Sequence, residues 1–199
     1  MSADRGYHHG DLREALIETS FALLAEGGLQ RFSVAAVARR LGVSTAAPYR
    51  HFPDRIHLLG AVSAAAAHDL GAAITTAADA AGADPADRLA AAAGAYVRYV
   101  VGTGAGFHVI YAAELNGLPD GARRDQTRAL MTVLLDLAAA TGCASYQEAV
   151  QLVEATIAVA HGYTSLFADG FFARKSSSVD AIAARATTAA RALTTRSQQ

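Results

Sequence analysis

The chain has 199 residues, 52% of them hydrophobic and 18% charged, with 17 basic and 18 acidic side chains. This composition excludes an intrinsically disordered chain, and the near-neutral balance excludes a protein that coats nucleic acid by charge alone. One cysteine, Cys143, excludes an intrachain disulfide and a cysteine-based zinc site, as is typical of the reducing cytoplasm. No apolar run approaches the ~20 residues that span a bilayer, so we predict a soluble, cytoplasmic protein without membrane contact.

The first sixty residues predict short helices separated by glycine turns. Residues 1–10 form a flexible polar leader that contains His8 and His9. Apolar side chains then recur at helical spacing, without a sustained period of two. The predicted helices are 11–25, ending at Gly27 and Gly28; 33–41, starting at the N-cap Ser33 and ending before Gly42; and 44–51.

The rest of the chain predicts longer helices, many of them rich in alanine, which is the strongest helix former. Phe52-Pro53-Asp54 breaks the chain, and Asp54 can cap a long helix over 54–81. Further helices are expected at 85–101, 107–116, 122–141, 145–169 and 178–195. We therefore predict an all-α fold in which a three-helix helix-turn-helix domain, 11–54, is joined to a larger helical domain, 55–199.

Residues 32–44 have the layout of a helix-turn-helix: a short helix, a turn centred on Gly42 and a restart at Ser44. Over most of residues 7–60 the sequence resembles the DNA-binding part of the tetracycline-repressor (TetR) family. The matching residues are Phe32-Ser33, Val37-Ala38, Leu41-Gly42-Val43-Ser44 and Pro48-Tyr49-Arg50-His51-Phe52-Pro53-Asp54-Arg55. The resemblance implies a regulator that binds double-stranded operator DNA as a homodimer.

The resemblance also implies roles for the third helix, which enters the major groove in this family. Its N-terminal residues would reach base edges: Thr45, Ala46 and Ala47. Phosphate contacts would come from Ser33, Ser44, Tyr49, His51 and Arg55. Arg50 would reach either a phosphate or a guanine, and Arg5 in the leader a neighbouring minor groove. In the competing interpretation Tyr49 is a core residue and the two serines are plain caps; the order of the whole motif favours DNA contact.

Pro48 restricts where this recognition helix can begin. A proline has no N–H to donate, and inside a helix its ring clashes with the carbonyl four residues earlier. Within the first turn the missing N–H has no helical partner in any case. We therefore predict a recognition helix that starts at Ser44 or Thr45.

The resemblance implies that the second half dimerises and binds an inducer. Residues 159–167 resemble the His-Gly element of a TetR C-terminal subfamily named for Trp, His and Gly. Gly162 would permit close approach of a partner helix, with packing inside one subunit as the alternative. The helices 145–169 and 178–195 pair across the two-fold axis in this family, so the expected dimer residues are Gly162, Leu166, Ile182 and Ala186.

Several polar or aromatic side chains could converge in a ligand pocket of the second half, although aromatic residues at helical spacing also suit an ordinary core. The expected ligand-binding residues are Tyr96, Tyr99, Phe107, His108, Tyr111 and His161, with Glu114 and Asn116 as further polar candidates. These residues favour a repressor released by a small, largely hydrophobic effector. The alternatives are a ligand-independent regulator and a helical small-molecule-binding protein without operator activity.

An enzyme is the main rival class. The glycines of residues 102–106 lack the spacing of a dinucleotide-binding loop and follow a predicted helix instead of a strand. Seven scattered histidines form no paired metal-ligand spacing and no catalytic order with serine or aspartate. The sequence therefore predicts no catalytic residues, no metal and no cofactor.

Overall fold

The computed structural model describes residues 9–172 and 178–194, with side chains described from Leu12 onward, and its regular elements are helices. The α-helices are α1 (His9–Arg31), α2 (Val34–Leu41), α3 (Arg55–Ala80), α4 (Pro85–Thr103), α5 (Phe107–Ile110), α6 (Gly121–Ala139), α7 (Tyr146–Ala168) and α8 (Val179–Thr194). Two 3-10 turns, Ala47–Arg50 and Ala113–Leu115, complete the chain order. The all-α prediction is confirmed.

The predicted boundaries of the first helices agree with the structure because short polar residues satisfy the free N–H groups. The Ser33 hydroxyl accepts from Ala36 N at 3.2 Å, and the Asp54 carboxylate accepts from His57 N at 2.9 Å. Gly42 ends α2 in the left-handed conformation, as expected of a helix C-terminus. In α1 the backbone leaves helical geometry at Gly28, close to the predicted end.

The predicted recognition helix from Ser44 or Thr45 to His51 is wrong in length and type. The chain forms one 3-10 turn, Ala47–Arg50, whose N-cap is Ala46 without a side-chain hydrogen bond. The Ser44 backbone carbonyl, and not its hydroxyl, accepts from Ala47 N at 3.0 Å. An α-helical Pro48 would bring its ring against the carbonyl of Ser44. The tighter turn avoids that clash.

The predicted helix over 107–116 is also wrong, since α5 ends at Ile110 and a separate 3-10 turn follows. Within a continuous helix, the Ile110 carbonyl would accept from the N–H of Glu114. Here it accepts instead from the buried Ser63 hydroxyl of α3 at 2.8 Å. The side chain of a neighbouring helix therefore replaces the local donor and lets the chain turn.

Helix α3 lies at the centre of the molecule and links its two halves. It packs against α1 on one side and against α4 and α6 on the other. By length and apolar composition α3 alone among the described helices could cross a membrane, but 56% of its most apolar window is buried inside the fold. Its hydrophobic side chains, such as Leu58, Leu59 and Val62, belong to the core.

The end of α4 fixes the helix-turn-helix unit to the second half. Gly104, which has a φ of +67°, ends α4 directly against α1. A Cβ atom at Gly104 would lie 2.3 Å from the backbone nitrogen of Ala25. The two helices can approach this closely only because position 104 has no side chain.

Candidate nucleic-acid interface and ligand cavity

An exposed turn follows α2 at the place where the sequence predicts the recognition element. Ser44, Thr45, Ala46 and Arg50 are exposed, and 54% of Tyr49 is accessible to solvent. Ala47 and His51 are half-buried. The turn thus presents a hydroxyl, a methyl group, a phenol and a guanidinium on one surface of the molecule.

Buried side chains anchor this turn on the helices beneath it. Pro48 and Phe52 are both buried, and the Arg13 guanidinium of α1 lies 5.2 Å from the centre of the Phe52 ring. The α1–α2 pair is tied by two hydrogen bonds from Arg40 to Glu26, at 3.0 and 2.6 Å. These bonds lower the pKa of the Glu26 carboxyl. The exposed side chains therefore belong to a turn that is packed on the helices beneath it, and not to a free loop.

Arg55, predicted to contact phosphate, is engaged inside the chain. Its guanidinium donates to the backbone carbonyls of Phe32 at 2.9 Å and Leu29 at 3.2 Å. It also forms an ion pair with Glu114 and lies over the Phe32 ring. Most of its five N–H donors are used in these contacts, so the geometry favours a link between the two halves over a contact with DNA.

The remaining predicted phosphate contacts differ in their accessibility. Ser33 caps α2 and is half-buried, whereas Ser44 is exposed. The Nε2 atom of His51 is buried and has no hydrogen-bond partner among the residues that the structure describes. Arg5 lies outside the described residues.

A small cavity lies between α3, α4, α6 and α7 in the second half. Its volume is about 10 Å³, room for roughly one water molecule. The lining is apolar except for one threonine and one tyrosine: Ile74, Ala92, Ala93, Tyr96, Phe107, Leu134, Thr156, Ile157 and Ala160. The Thr156 hydroxyl donates to the carbonyl of Leu152 in its own helix, and the Tyr96 hydroxyl is bonded outside the cavity, so the surface that faces the cavity is apolar.

Tyr96 connects the cavity to its surroundings through its hydroxyl. The oxygen accepts from Phe107 N at 3.2 Å and lies 3.0 Å from His161 Nδ1. Because the oxygen accepts from Phe107, its own proton is free for the imidazole nitrogen. The Tyr96 ring stacks on Phe107, which in turn stacks on Tyr111, with 5.5 Å between ring centres in each pair. Burial raises the pKa of Tyr96, so the phenol stays protonated and neutral.

Two family models match this chain and together span both halves. Residues 16–62 match bacterial regulatory proteins of the tetR family, and residues 89–190 match the tetracyclin repressor-like C-terminal domain. The second match alone spans more than half of the chain. The chain belongs to the TetR family. It is therefore a TetR-family transcriptional regulator with an N-terminal helix-turn-helix, as the sequence analysis predicts.

Solved structures resemble this TetR-family chain over nearly its whole length. A protein with unknown function from Rhodococcus sp. RHA1 is 28% identical, with a TM-score of 0.71, and the match covers 94% of this chain and 97% of that one. A bacterial regulatory protein in the tetR family from Rhodococcus RHA1 is 25% identical, with a TM-score of 0.60 and coverage of 92% and 96%. A transcriptional regulator from the same bacterium, 21% identical with a TM-score of 0.63 and coverage of 92% and 96%, shares the fold. No curated protein sequence matches the chain.

The predicted dimer residues of this TetR-family chain fall into two groups. Gly162 faces open space among the described residues, since an added Cβ would meet none of their atoms within 4 Å, and 41% of Leu166 is exposed. Packing against the described part of the subunit therefore does not account for the glycine. Ile182 and Ala186 are fully buried at 0% exposure, so their assignment to a dimer interface is wrong. They pack inside the subunit, where α8 contacts α4 and α7.

Only some of the predicted ligand residues line the cavity. Tyr96 and Phe107 line the cavity, His161 bonds to Tyr96, and His108 and Tyr111 lie beyond the wall. Tyr99 is not part of the lining. Its buried hydroxyl has no partner in hydrogen-bonding geometry among the described residues, and burial together with the nearby Asp69 carboxylate raises its pKa.

The aliphatic wall of the cavity and the packing role of the glycines at 102–106 are not predicted from the sequence. Ala92, Ala93 and Ala160 are indistinguishable in sequence from the other alanines of the core. Gly104 and Gly106 allow close contacts with Ala25 and with the Tyr96 hydroxyl, respectively. The irregular spacing of these glycines, which excludes a phosphate loop, was the signal that could have shown a packing role.

The His108 imidazole should make the stability of this protein depend on pH. His108 is an exposed residue, but partial desolvation of its imidazole lowers its pKa, and the neighbouring His161 lowers it further, while the Gly104 carbonyl opposes both. The unfolded chain then binds the proton more readily, so the free energy of unfolding falls as the pH drops below about 6.5. Urea unfolding at about pH 7.5 and about pH 5.5 measures this loss, which His108→Gln should reduce. An equal loss in both proteins would contradict it.

Proposed function

We propose that this TetR-family regulator is a cytoplasmic repressor that binds a palindromic operator as a homodimer and is released by a small, largely hydrophobic effector. The proposal rests on one observation, the exposed turn at residues 45–50, which is anchored on the helix-turn-helix by buried side chains. Family membership supports DNA binding by this unit. The apolar cavity beside Tyr96 supports an effector site in the second half.

The exposed turn offers few side chains that can read bases. The Thr45 hydroxyl can donate to or accept from a base edge, and the Ala46 methyl suits contact with a thymine methyl group. Arg50 has the length and the donors to reach either a guanine or a phosphate. Tyr49 can donate its hydroxyl to a phosphate, which positions the protein without reading sequence. Sequence-dependent DNA shape would then contribute to operator choice.

Two substitutions distinguish a residue that recognises bases from a residue that only positions the protein on the DNA backbone. Tyr49→Phe should weaken binding by roughly the same 2- to 10-fold on all sequences, since it removes one neutral hydrogen bond to the backbone. Thr45→Ala should change base preference and leave non-specific binding unaltered. Fluorescence-anisotropy titrations against the promoter-region DNA of the protein's own gene, and against a scrambled duplex, measure both effects. Equal losses from Thr45→Ala on the two duplexes would remove Thr45 from base reading.

Dimerisation is proposed through the exposed end of α7. Gly162 leaves space for close approach of a second helix, and Leu166 and Phe171 expose apolar surface beside it, 68% in the case of Phe171. An isologous interface places the same patch on both subunits, so one exposed apolar patch can pair with its own copy. A two-fold dimer also matches the symmetry of a palindromic operator.

The cavity favours an uncharged effector. Its lining contains no charged side chain, and burial of an unpaired charge there would be costly. The Tyr96 hydroxyl is engaged by Phe107 N and His161, and His161 lies outside the lining, so the surface that faces the cavity is apolar. A volume near 10 Å³ is far below the roughly 300–1,000 Å³ of typical ligand pockets, so an effector must enlarge the cavity by moving its walls.

A thermal-shift screen with neutral apolar compounds tests the effector site. A true ligand at about 100 times its Kd stabilises the folded state by about 2.7 kcal/mol, and each kcal/mol raises the Tm by about 2–4 °C in a protein of this size. Ala160→Met should abolish the shift, because the longer side chain fills the cavity. The matched control is Ala158→Met on the exposed side of α7. The absence of any shift across a broad set would favour a ligand-independent regulator.

A further inference from the structure

Two histidines from distant parts of the chain come together at the surface between α5 and α7. His108 of α5 and His161 of α7 have ring centres 6.1 Å apart, and their ring planes are inclined by 53°. We call them the histidine pair. Both residues are exposed, so an ion from solvent can reach them. The pair lies outside the cavity lining and has no part in the functions proposed above.

A buried side chain orients the ring of His161. The Tyr96 hydroxyl lies 3.0 Å from His161 Nδ1, and Tyr96 is only 2% exposed, so the core fixes its position. This contact engages Nδ1 and leaves Nε2 as the nitrogen available to an ion. Histidines that bind metals in proteins are held in this way, with one ring nitrogen on the ion and the other hydrogen-bonded to a neighbouring group.

The hydrogen bonds of Tyr96 allow His161 to present Nε2 without its proton. A metal binds the unprotonated nitrogen of a neutral imidazole, so the ring proton must then be on Nδ1. The phenol oxygen has two lone pairs, and Phe107 N–H occupies one of them at 3.2 Å. The other lone pair accepts the Nδ1 proton. The ring therefore changes tautomer without a net change in protons, and Tyr96 remains a neutral phenol.

The ring of His108 also has a hydrogen-bond acceptor beside it, the backbone carbonyl of Gly104. A carbonyl accepts hydrogen bonds and donates none. It therefore favours the tautomer whose N–H points toward Gly104 and leaves the other ring nitrogen unprotonated. Each member of the pair thus has one acceptor for its N–H and one nitrogen for an ion.

The spacing of the two rings suits one ion between them. Two imidazoles that bind one zinc ion in tetrahedral geometry, with Zn–N bonds of about 2.0–2.1 Å, have ring centres roughly 5 Å apart. The rings of the histidine pair need to approach by about 1 Å, which exposed side chains achieve by small rotations within their rotamers. No backbone movement is required.

The donor atoms decide the class of ion. Neutral imidazole nitrogen suits zinc, copper and nickel, whereas magnesium and calcium take oxygen ligands. Among the residues that the structure describes, no third histidine, cysteine or carboxylate joins the pair. The protein therefore supplies two ligands and leaves the remaining coordination positions open.

We propose that the histidine pair binds one divalent transition-metal ion, such as zinc, through one nitrogen of each ring, with water in the remaining positions. The bound ion links α5 to α7 at the surface of the second half. This binding does not depend on the proposed function, because every group in it belongs to a single subunit and none of them contacts DNA.

Calorimetric titration with zinc chloride tests the site on a full chain that carries His8→Ala and His9→Ala, since adjacent histidines in the leader could bind zinc themselves. We expect one zinc ion per chain. Either His108→Ala or His161→Ala should weaken binding at least about 10-fold. The matched control is His57→Ala, which removes another exposed histidine, whose Nδ1 lies 2.9 Å from Asp54 Oδ1. It should leave the affinity unchanged.

Nitrogen-15 NMR of the imidazoles identifies the ligands in the wild-type chain and does not depend on the folding of a variant. Zinc should shift Nε2 of His161 and one ring nitrogen of His108, and leave His68 unchanged. Zinc at about 100 times its Kd should raise the Tm by about 5–10 °C, and a chelator should reverse the increase.

Three results would overturn the proposal. The first is the absence of zinc binding by the chain that lacks His8 and His9. The second is a loss of affinity in His57→Ala as large as in the variants of the pair. The third is a set of NMR shifts confined to His8 and His9, which would show an adventitious ion only.

Discussion

Gly104→Ala should destabilise the protein by about 2–6 kcal/mol and abolish operator binding. Two unfavourable effects add at this position, backbone strain and a steric clash. Alanine is strained at a φ of +67°, and its Cβ would lie 2.3 Å from the backbone nitrogen of Ala25, which no rotamer change can relieve. Either α1 or the end of α4 must move. Urea unfolding monitored by circular dichroism measures the loss, and anisotropy with promoter DNA measures binding.

Gly102→Ala is the matched control two residues earlier. Its Cβ would meet no atom within 4 Å, and the residue lies inside α4. Alanine should therefore leave binding intact and stabilise the helix by up to about 1 kcal/mol. Equal stability of the two variants would contradict the close packing of α1 on Gly104, and with it the attachment of the helix-turn-helix described above.

Arg55→Met should destabilise the protein by about 1.5–3 kcal/mol, the size expected for lost hydrogen bonds from a charged group. Methionine keeps much of the packing but leaves the carbonyls of Leu29 and Phe32 without their donor. DNA affinity should fall because the orientation of α2 is less well fixed. Arg55→Lys should lie between methionine and the wild type, because an ammonium cannot satisfy all the partners of the guanidinium.

Salt dependence distinguishes this structural role from the phosphate contact that the sequence predicts. A residue that neutralises a phosphate reduces the slope of log K against log salt by about one when it is removed. Arg55→Met should leave the slope unchanged and lower the Tm. Arg50→Met, on the exposed turn, should reduce the slope and leave the Tm unchanged. A reduced slope with an unaltered Tm for Arg55→Met would restore Arg55 to the DNA contacts.

The sequence predicted the elements whose boundaries are encoded locally. Ser33 and Asp54 cap their helices through their own side chains, and Gly42 ends α2 by its own conformational freedom. The two failures have different causes. Ser63, 47 positions away in the chain, takes the carbonyl of Ile110 and interrupts the expected helix. Pro48 acts locally and gives a 3-10 turn where helical spacing favours an α-helix.

In the candidate sites, too, some features can be predicted from the local sequence and others depend on distant parts of the chain. Exposure of Thr45 and Arg50 follows from motif order, which is readable in sequence. Periodicity marks an apolar helix face but does not say which partner covers it, so Ile182 and Ala186 were assigned to a dimer although they are buried within the subunit. The intrachain bonds of Arg55 cannot be predicted from the sequence for a related reason, since Glu114 is 59 positions away in the chain.

Operator recognition by the exposed turn is tested by a titration of the promoter region of the protein's own gene with the wild-type chain, compared with Arg50→Ala and Tyr49→Ala. We expect a saturable complex with two chains per palindrome, weakened by both substitutions while the folded state stays equally stable. Failure to bind any nearby palindrome at low salt, or binding that both variants leave unchanged, would contradict operator recognition by the exposed turn.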